Sequence, residues 1–195
     1  VRIAVLGGSF NPVHIGHLAL ADAVHVSFGY DRVLLVPANI PPHKEMADGT
    51  TTEGRLEMLS LATAGADWLE TEDCEISRGG LSYTIDTLEY LCGKYASVLE
   101  GKIGLVIGED LVDGFMKWKN PESIASIADI IVAQRPGIEK SLFPLPHIPL
   151  VNPLLSISSS EIRACIRSGK SWRYLVPDPV YRYIVEHTLY EYRPV

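Results

Sequence analysis

The chain of 195 residues has little cysteine, and no two of its three cysteines are close. Cys74, Cys92 and Cys165 form no C-x-x-C pair and no zinc-ligand spacing, so neither a disulfide framework nor a structural metal centre organises the fold. They read as ordinary reduced thiols of a cytoplasmic protein. No apolar run reaches the roughly 18 residues that a membrane helix needs. The first residues are strand-like and lack a basic stretch followed by an apolar one, so no signal peptide is expected there. Basic charge is also scarce: 17 Lys and Arg stand against 24 Asp and Glu, a net charge of −7. A sequence-independent grip on nucleic acid, which needs a basic face, is therefore not expected. Internal repeats and low-complexity segments are absent too.

What the chain does have is apolar residues in short blocks, 47% in all, enough for a full core. Strand-like blocks fall at residues 1–6, 32–37, 68–77, 102–107 and 129–133. Helical stretches fall between them, at about 14–28, 53–63 and 84–95. Short strands apolar on both sides, alternating with helices, make a parallel sheet covered on both faces. The expected fold is α/β, a Rossmann-like doubly wound sheet of five to six strands in a single domain over residues 1–195. A small helical part occupies about 156–195. Thr52 is a candidate cap for the second helix. The proline-rich stretch 137–153 reads as a surface connection. Ser158 to Glu161 fits a capping box, Gly169 a left-handed stop, and Pro179 the first turn of a last helix.

The most informative stretch is GGSFNPVHIGHL, Gly7 to Leu18. A strand ends in Gly7 and Gly8, and a helix starts a few residues on. Glycines let the backbone approach a ligand, and the free N–H groups of a helix start favour phosphate. His14 and His17 are three apart and share one side of the first turn, with Gly16 leaving a bare patch between them. Two histidines so spaced also fit a solvated helix face. The zinc spacing H-x-x-x-H is absent, and so is the dinucleotide fingerprint G-x-G-x-x-G. Gly169-Lys170-Ser171 mimics the end of a P-loop, but Ala164 stands where its first glycine belongs, so it reads as a helix stop.

A second group, ISSSEIR, lies far along the chain. Ser158, Ser159 and Ser160 open a helix, and Arg163 follows one turn in. Amides, hydroxyls and a guanidinium suit a polyphosphate; a plain helix cap with a solvated arginine fits the same residues.

The first stretch resembles the H-x-G-H signature of the nucleotidylyltransferase superfamily and, within it, the bacterial nicotinate-nucleotide adenylyltransferases. The resemblance continues in order along nearly the whole chain. ISSSEIR is similar to the superfamily's ISSTxIR, with Ser160 for Thr. Pro41-Pro42-His43-Lys44 is similar to its PPHK loop, and Arg55, Glu57 and Met58 to the R-x-E-M helix after it. Ser82 to Leu88 matches SYTxDTL, Ile107 to Asp110 matches IGxD, and Ala133 to Gly137 matches A-x-R-P-G. Trp118 falls at the pyridine-stacking tryptophan, and Lys119 follows it where some members carry Tyr.

The resemblance implies transfer of the adenylyl group of ATP to nicotinate mononucleotide, giving deamido-NAD and pyrophosphate. It implies catalytic roles for His14, His17, Lys44 and Arg163. It places ATP on Gly7, Gly8, Ser9, Phe10, Gly16, Gly108, Asp110, Arg135, Ser158, Ser159 and Ser160. It places the acceptor on Tyr83, Thr84, Trp118, Lys119 and Arg55. Lys119 would attract the nicotinate carboxylate, or contribute only its backbone amide. Mg²⁺ would arrive on ATP, with no protein cage for a metal. The closing stretch 176–190 is given a structural role. The SYTxDTL segment and Trp118 set the chain apart from pantetheine-phosphate adenylyltransferases and cytidylyltransferases. Intact His14, His17, Lys44 and Arg163 set it apart from a catalytically silent nucleotide-binding module. Use of the amide acceptor and a homo-oligomeric state stay open.

Overall fold

The computed structural model describes residues 1–42, 47, 49–134, 143–151 and 157–193. In chain order they form β1 (Ile3–Gly8), α1 (Ile15–Phe28), β2 (Arg32–Pro37), α2 (Thr52–Thr63), β3 (Leu69–Thr71), α3 (Cys74–Arg78) and α4 (Thr84–Lys94). There follow β4 (Ile103–Gly108), two 3₁₀ turns (Glu109–Leu111, Phe115–Lys117), α5 (Pro121–Ile127), β5 (Ala128–Gln134) and β6 (Ile148–Val151). The chain then closes with α6 (Ser159–Arg167), α7 (Asp178–Glu186) and a 3₁₀ turn at Leu189–Glu191. The six strands lie side by side in the order β3-β2-β1-β4-β5-β6, all parallel. The order reverses between β1 and β4, and such a reversal opens a crevice at the carboxyl ends of the strands.

The strand sequences explain the two-faced burial. Along β1, Ala4 and Leu6 point to one core and Ile3 and Val5 to the other, the period of two that a strand imposes. The first core takes Ala21 and Val24 of α1, Met58 and Leu59 of α2, Ile162 and Ile166 of α6, and Val180 and Ile184 of α7. The second takes Leu88 and Leu91 of α4 and Ile124 of α5. The C-terminal helices are thus one wall of the main layer stack.

Several boundaries differ from the sequence reading. The strand expected over 68–77 ends at Thr71, and the chain becomes helical from Cys74. Glu72 stops the alternation because its buried carboxylate takes Lys94 Nζ at 2.5 Å. Ser77 then bonds back to Asp73 and closes a helical turn. The proline-rich stretch contains strand β6. Proline is tolerated there because β6 is an edge strand. Thr51, not Thr52, caps α2, accepting the Gly54 N–H at 3.1 Å. Gly169 does follow α6 with φ +64, and Ser158 and Glu161 do form the capping box. Among the described residues no helix is long and apolar enough to cross a membrane.

Candidate active site

A cavity of about 740 Å³ opens where β1 and β4 end. The end of β1 and the loop after it form its floor, contributing Gly7, Gly8, Ser9, Phe10 and Asn11, and α1 adds Gly16 and His17, with His14 just before it. His14 and His17 stack with ring centroids 3.6 Å apart. The Nδ1 of His17 accepts the backbone N–H of His14 at 3.2 Å. That bond leaves the ring proton of neutral His17 on Nε2, where it can be donated. The Phe10 ring meets His17 edge-on at 4.8 Å. Gly16 lets the His14 ring lie close: a Cβ there would sit 3.1 Å from it and press the ring outward. Burial holds the pKa of His14 down at about 4, against a smaller upward pull from Glu161. Burial, and then the neighbouring His14, hold His17 well below the ordinary histidine range. Both rings are neutral at pH 7 and positioned as hydrogen-bonding groups. The Nδ1 of His14 is buried beside Gly16 without a hydrogen-bond partner.

The start of α6 faces the same cavity with Ser158, Ser159, Ser160 and Arg163. Its hydroxyls serve the protein itself. Ser158 Oγ accepts the Glu161 N–H at 3.2 Å and donates to its carboxylate. Ser159 Oγ donates to the Pro12 carbonyl at 2.8 Å, and Ser160 Oγ accepts from Arg163 Nη2 at 3.1 Å. Arg163 Nη1 donates to the Asn11 carbonyl at 2.6 Å. Two helix starts are therefore tied to one loop. Of their first-turn amides, Ile15 donates to the Leu175 carbonyl, His17 to the His14 carbonyl and Glu161 to Ser158 Oγ, which leaves those of the cavity-lining Gly16, Ser159 and Ser160 for a ligand.

The opposite end of the cavity is lined by Tyr83 and Thr84 at the start of α4, by Trp118 and Lys119 after the second 3₁₀ turn, and by Glu75 of α3. Trp118 leans on Phe115 with ring centroids 4.8 Å apart. Lys119 Nζ bonds both oxygens of Asp86, at 2.8 and 3.0 Å, and lies 4.7 Å from the centre of the Tyr83 ring. Ser82 fixes this end to the β2 side: its Oγ accepts the Asn39 N–H and its N–H donates to the Ile40 carbonyl. Gly108 and Asp110 face the cavity between the two ends.

Most residues named from the sequence thus converge on one cavity, with three exceptions. Arg55 does not line it. Only 2% exposed, it donates Nη1 to the carbonyls of Ser9 at 3.0 Å and Ala38 at 2.7 Å, supporting the loop from behind. Its contact with an acceptor, implied by the resemblance, is replaced by this supporting role because the guanidinium is enclosed. Lys44 and Arg135 lie outside the described residues. Glu75 and Asn11 were not singled out in the sequence. Asn11 lay inside the motif and could have been flagged by it, whereas Glu75 carried no signal.

The comparisons with known proteins agree with this picture. The family model for cytidylyltransferase-like proteins matches residues 5–165. A protein of Treponema pallidum, named as a probable nicotinate-nucleotide adenylyltransferase, is 42% identical over 97% of this chain and 99% of its own. One of Borreliella burgdorferi with the same name is 40% identical, covering 97% of each. Among solved structures, the nicotinic acid mononucleotide adenylyltransferase of Plasmodium falciparum complexed with NaAD superposes with a TM-score of 0.81. It covers 98% of each chain at 20% identity, a likeness of fold.

Proposed function

The chain belongs to the cytidylyltransferase-like family and, within it, to the nicotinate-nucleotide adenylyltransferases, and from that premise we propose that it joins ATP to nicotinate mononucleotide, giving deamido-NAD and pyrophosphate. The observation that carries the reading is the stacked, neutral His14–His17 pair lying between two helix starts on one cavity.

The 5′-phosphate of the acceptor is already ionised at neutral pH and needs no base. It attacks the α-phosphorus of ATP, a P–O bond forms, and the bond to the β-phosphate oxygen breaks. The protein contributes position and charge compensation. Nε2–H of His17 donates to the phosphate oxygens where negative charge builds up, and the His14 ring stacked on it holds it in place. The amides after Gly8 and at the start of α6 bind the outer phosphates. Arg163, and Lys44 two residues past Pro42, compensate the pyrophosphate as it leaves. Asp110 accepts from ribose hydroxyls, and Arg135 serves the adenosine end. At the far end Trp118 and Tyr83 hold the pyridine ring, with the first amides of α4, at Thr84, toward its carboxylate.

Among the described residues no group of three or more His, Cys, Asp or Glu is placed to hold a metal ion. The imidazoles and amides along the phosphate end are donors to phosphate oxygens and not ligands for a cation, so a Mg²⁺ would enter on ATP, held by phosphate oxygens and water, and would screen charge on the triphosphate.

Pyrophosphate release from ATP tests the reading, with nicotinate mononucleotide compared against its amide. Release with the acid at far higher kcat/KM than with the amide is expected. Equal use would remove the acid-selective role from Thr84 and Trp118, and no release with either would overturn the reading.

A further inference from the structure

The closing turn of the chain reaches the phosphate end of the cavity from behind. Tyr190 is 1% exposed, and its hydroxyl donates to Asn11 Oδ1 at 2.6 Å. Asn11 is 2% exposed and passes this link in two directions. Its Nδ2 donates to the Ala47 carbonyl at 2.7 Å, and its own carbonyl accepts Arg163 Nη1 at 2.6 Å. Tyr190 also donates its N–H to the Gly49 carbonyl at 3.4 Å. Gly49, at φ +112, leaves room for the ring: a Cβ there would fall 2.5 Å from Tyr190 Cδ1. Tyr190 thus holds Asn11 of the phosphate loop through its phenol and Gly49 through its N–H, and through Asn11 it reaches Ala47 and the arginine of α6.

The backbone around Tyr190 is unusual. Thr188, Tyr190 and Glu191 all take left-handed conformations, with φ of 49°, 58° and 61°. Non-glycine residues adopt this region at a cost, and they stay there only where surrounding contacts determine it. A tail needed only to cover apolar surface has no use for that geometry. Here the geometry aims the hydroxyl at Asn11.

We propose that Tyr190 is a positioning residue for the triphosphate, acting through Asn11 to set Arg163. This rests on the α1–α6 end being the phosphate end, as in the function proposed above. The residue touches no ligand. Its loss leaves the Asn11 amide free to turn and the Asn11 carbonyl free to release Arg163.

The test is a double-mutant cycle read by equilibrium binding of ATP with Mg²⁺ and no acceptor, alongside melting temperatures. Tyr190→Phe keeps the ring and removes the hydroxyl. ATP Kd is expected to rise about tenfold, the scale of one lost hydrogen bond with its partner left unsatisfied, while KM for nicotinate mononucleotide stays within twofold. In an Arg163→Ala background the same change is expected to leave ATP Kd where R163A alone put it. Gly49→Ala, which displaces the ring and keeps the hydroxyl, is expected to behave likewise and serves if Y190F does not fold. A lower melting temperature with unchanged ATP Kd would overturn the proposal, as would effects of Y190F and R163A that simply multiply. If the wild type binds ATP but transfers nothing, the proposed function fails and the cycle still decides the role of Tyr190.

Discussion

His17 Nδ1 receives the backbone N–H of His14 at 3.2 Å, and the same two residues stack ring on ring. The main chain at the start of α1 therefore sets which nitrogen of His17 carries the proton. His17→Ala removes the Nε2–H donor and the acceptor of the His14 N–H, but nothing from the main cores. We expect kcat to fall by roughly 10²–10³, the usual loss for one preorganised donor, with a melting temperature close to that of the wild type. Stopped or steady-state pyrophosphate release reads the first and calorimetry the second. Near-normal kcat in a folded H17A would take the imidazole out of the reaction.

Burial of His14 makes stability depend on pH in a fixed direction. The unfolded chain takes its proton near pH 6.5 and the folded chain near pH 4. Between those values the unfolded state binds more protons, so stability is greatest above pH 6.5 and declines as the pH falls toward 4. His17, also lowered by burial, acts in the same sense. The full contribution of His14 is on the order of 3 kcal/mol. Thermal melts from pH 7.5 to 5 are expected to show the decline, and His14→Asn to flatten it. A slope unaltered by that substitution would mean that His14 titrates alike in both states.

Arg55 Nη1 ties the loop after β1, at the Ser9 carbonyl, to the residue after β2, at the Ala38 carbonyl, and a lysine lacks the planar guanidinium that fills this buried place. Arg55→Lys is expected to cost about 2–4 kcal/mol, the range for breaking a buried charged contact. In a protein of this size that lowers the melting temperature by roughly 4–16 °C. KM for the acceptor should change little. A variant that melts normally but loses acceptor affinity would instead place Arg55 on the substrate.

At the pyridine end, the Lys119 charge is largely spent on Asp86. Asp86→Asn frees it. The preference for nicotinate over nicotinamide mononucleotide, measured as a ratio of kcat/KM, is then expected to rise several-fold, since a freed ammonium favours the carboxylate at moderate salt. Lys119→Met should move the ratio the other way or leave it unchanged. If D86N lowers the ratio, the Asp86 carboxylate shapes the subsite in a way that its pairing with Lys119 does not describe.

The sheet was readable because its strands are short apolar blocks with helices between them, and the loop after β1 because its glycines and histidines occur at telling intervals. Other parts were hidden for physical reasons. β6 contains Pro149, and proline marks a loop unless one knows the strand lies at an edge. Glu72 reads as one more position in a strand until its distant partner Lys94 is seen. Arg55 matched a motif, but only the fold reveals that its guanidinium is enclosed. The Tyr190–Asn11 bond joins residues 179 apart in sequence, and no local pattern announces such a pair.

The two borders of the sheet carry a consequence of their own. One border is β3, only three residues long, and the other is β6, four residues with a proline among them. Neither offers a long row of open amide and carbonyl groups on which a foreign strand could grow. Borders so short discourage growth by strand addition, the step from which runaway stacking into fibres begins.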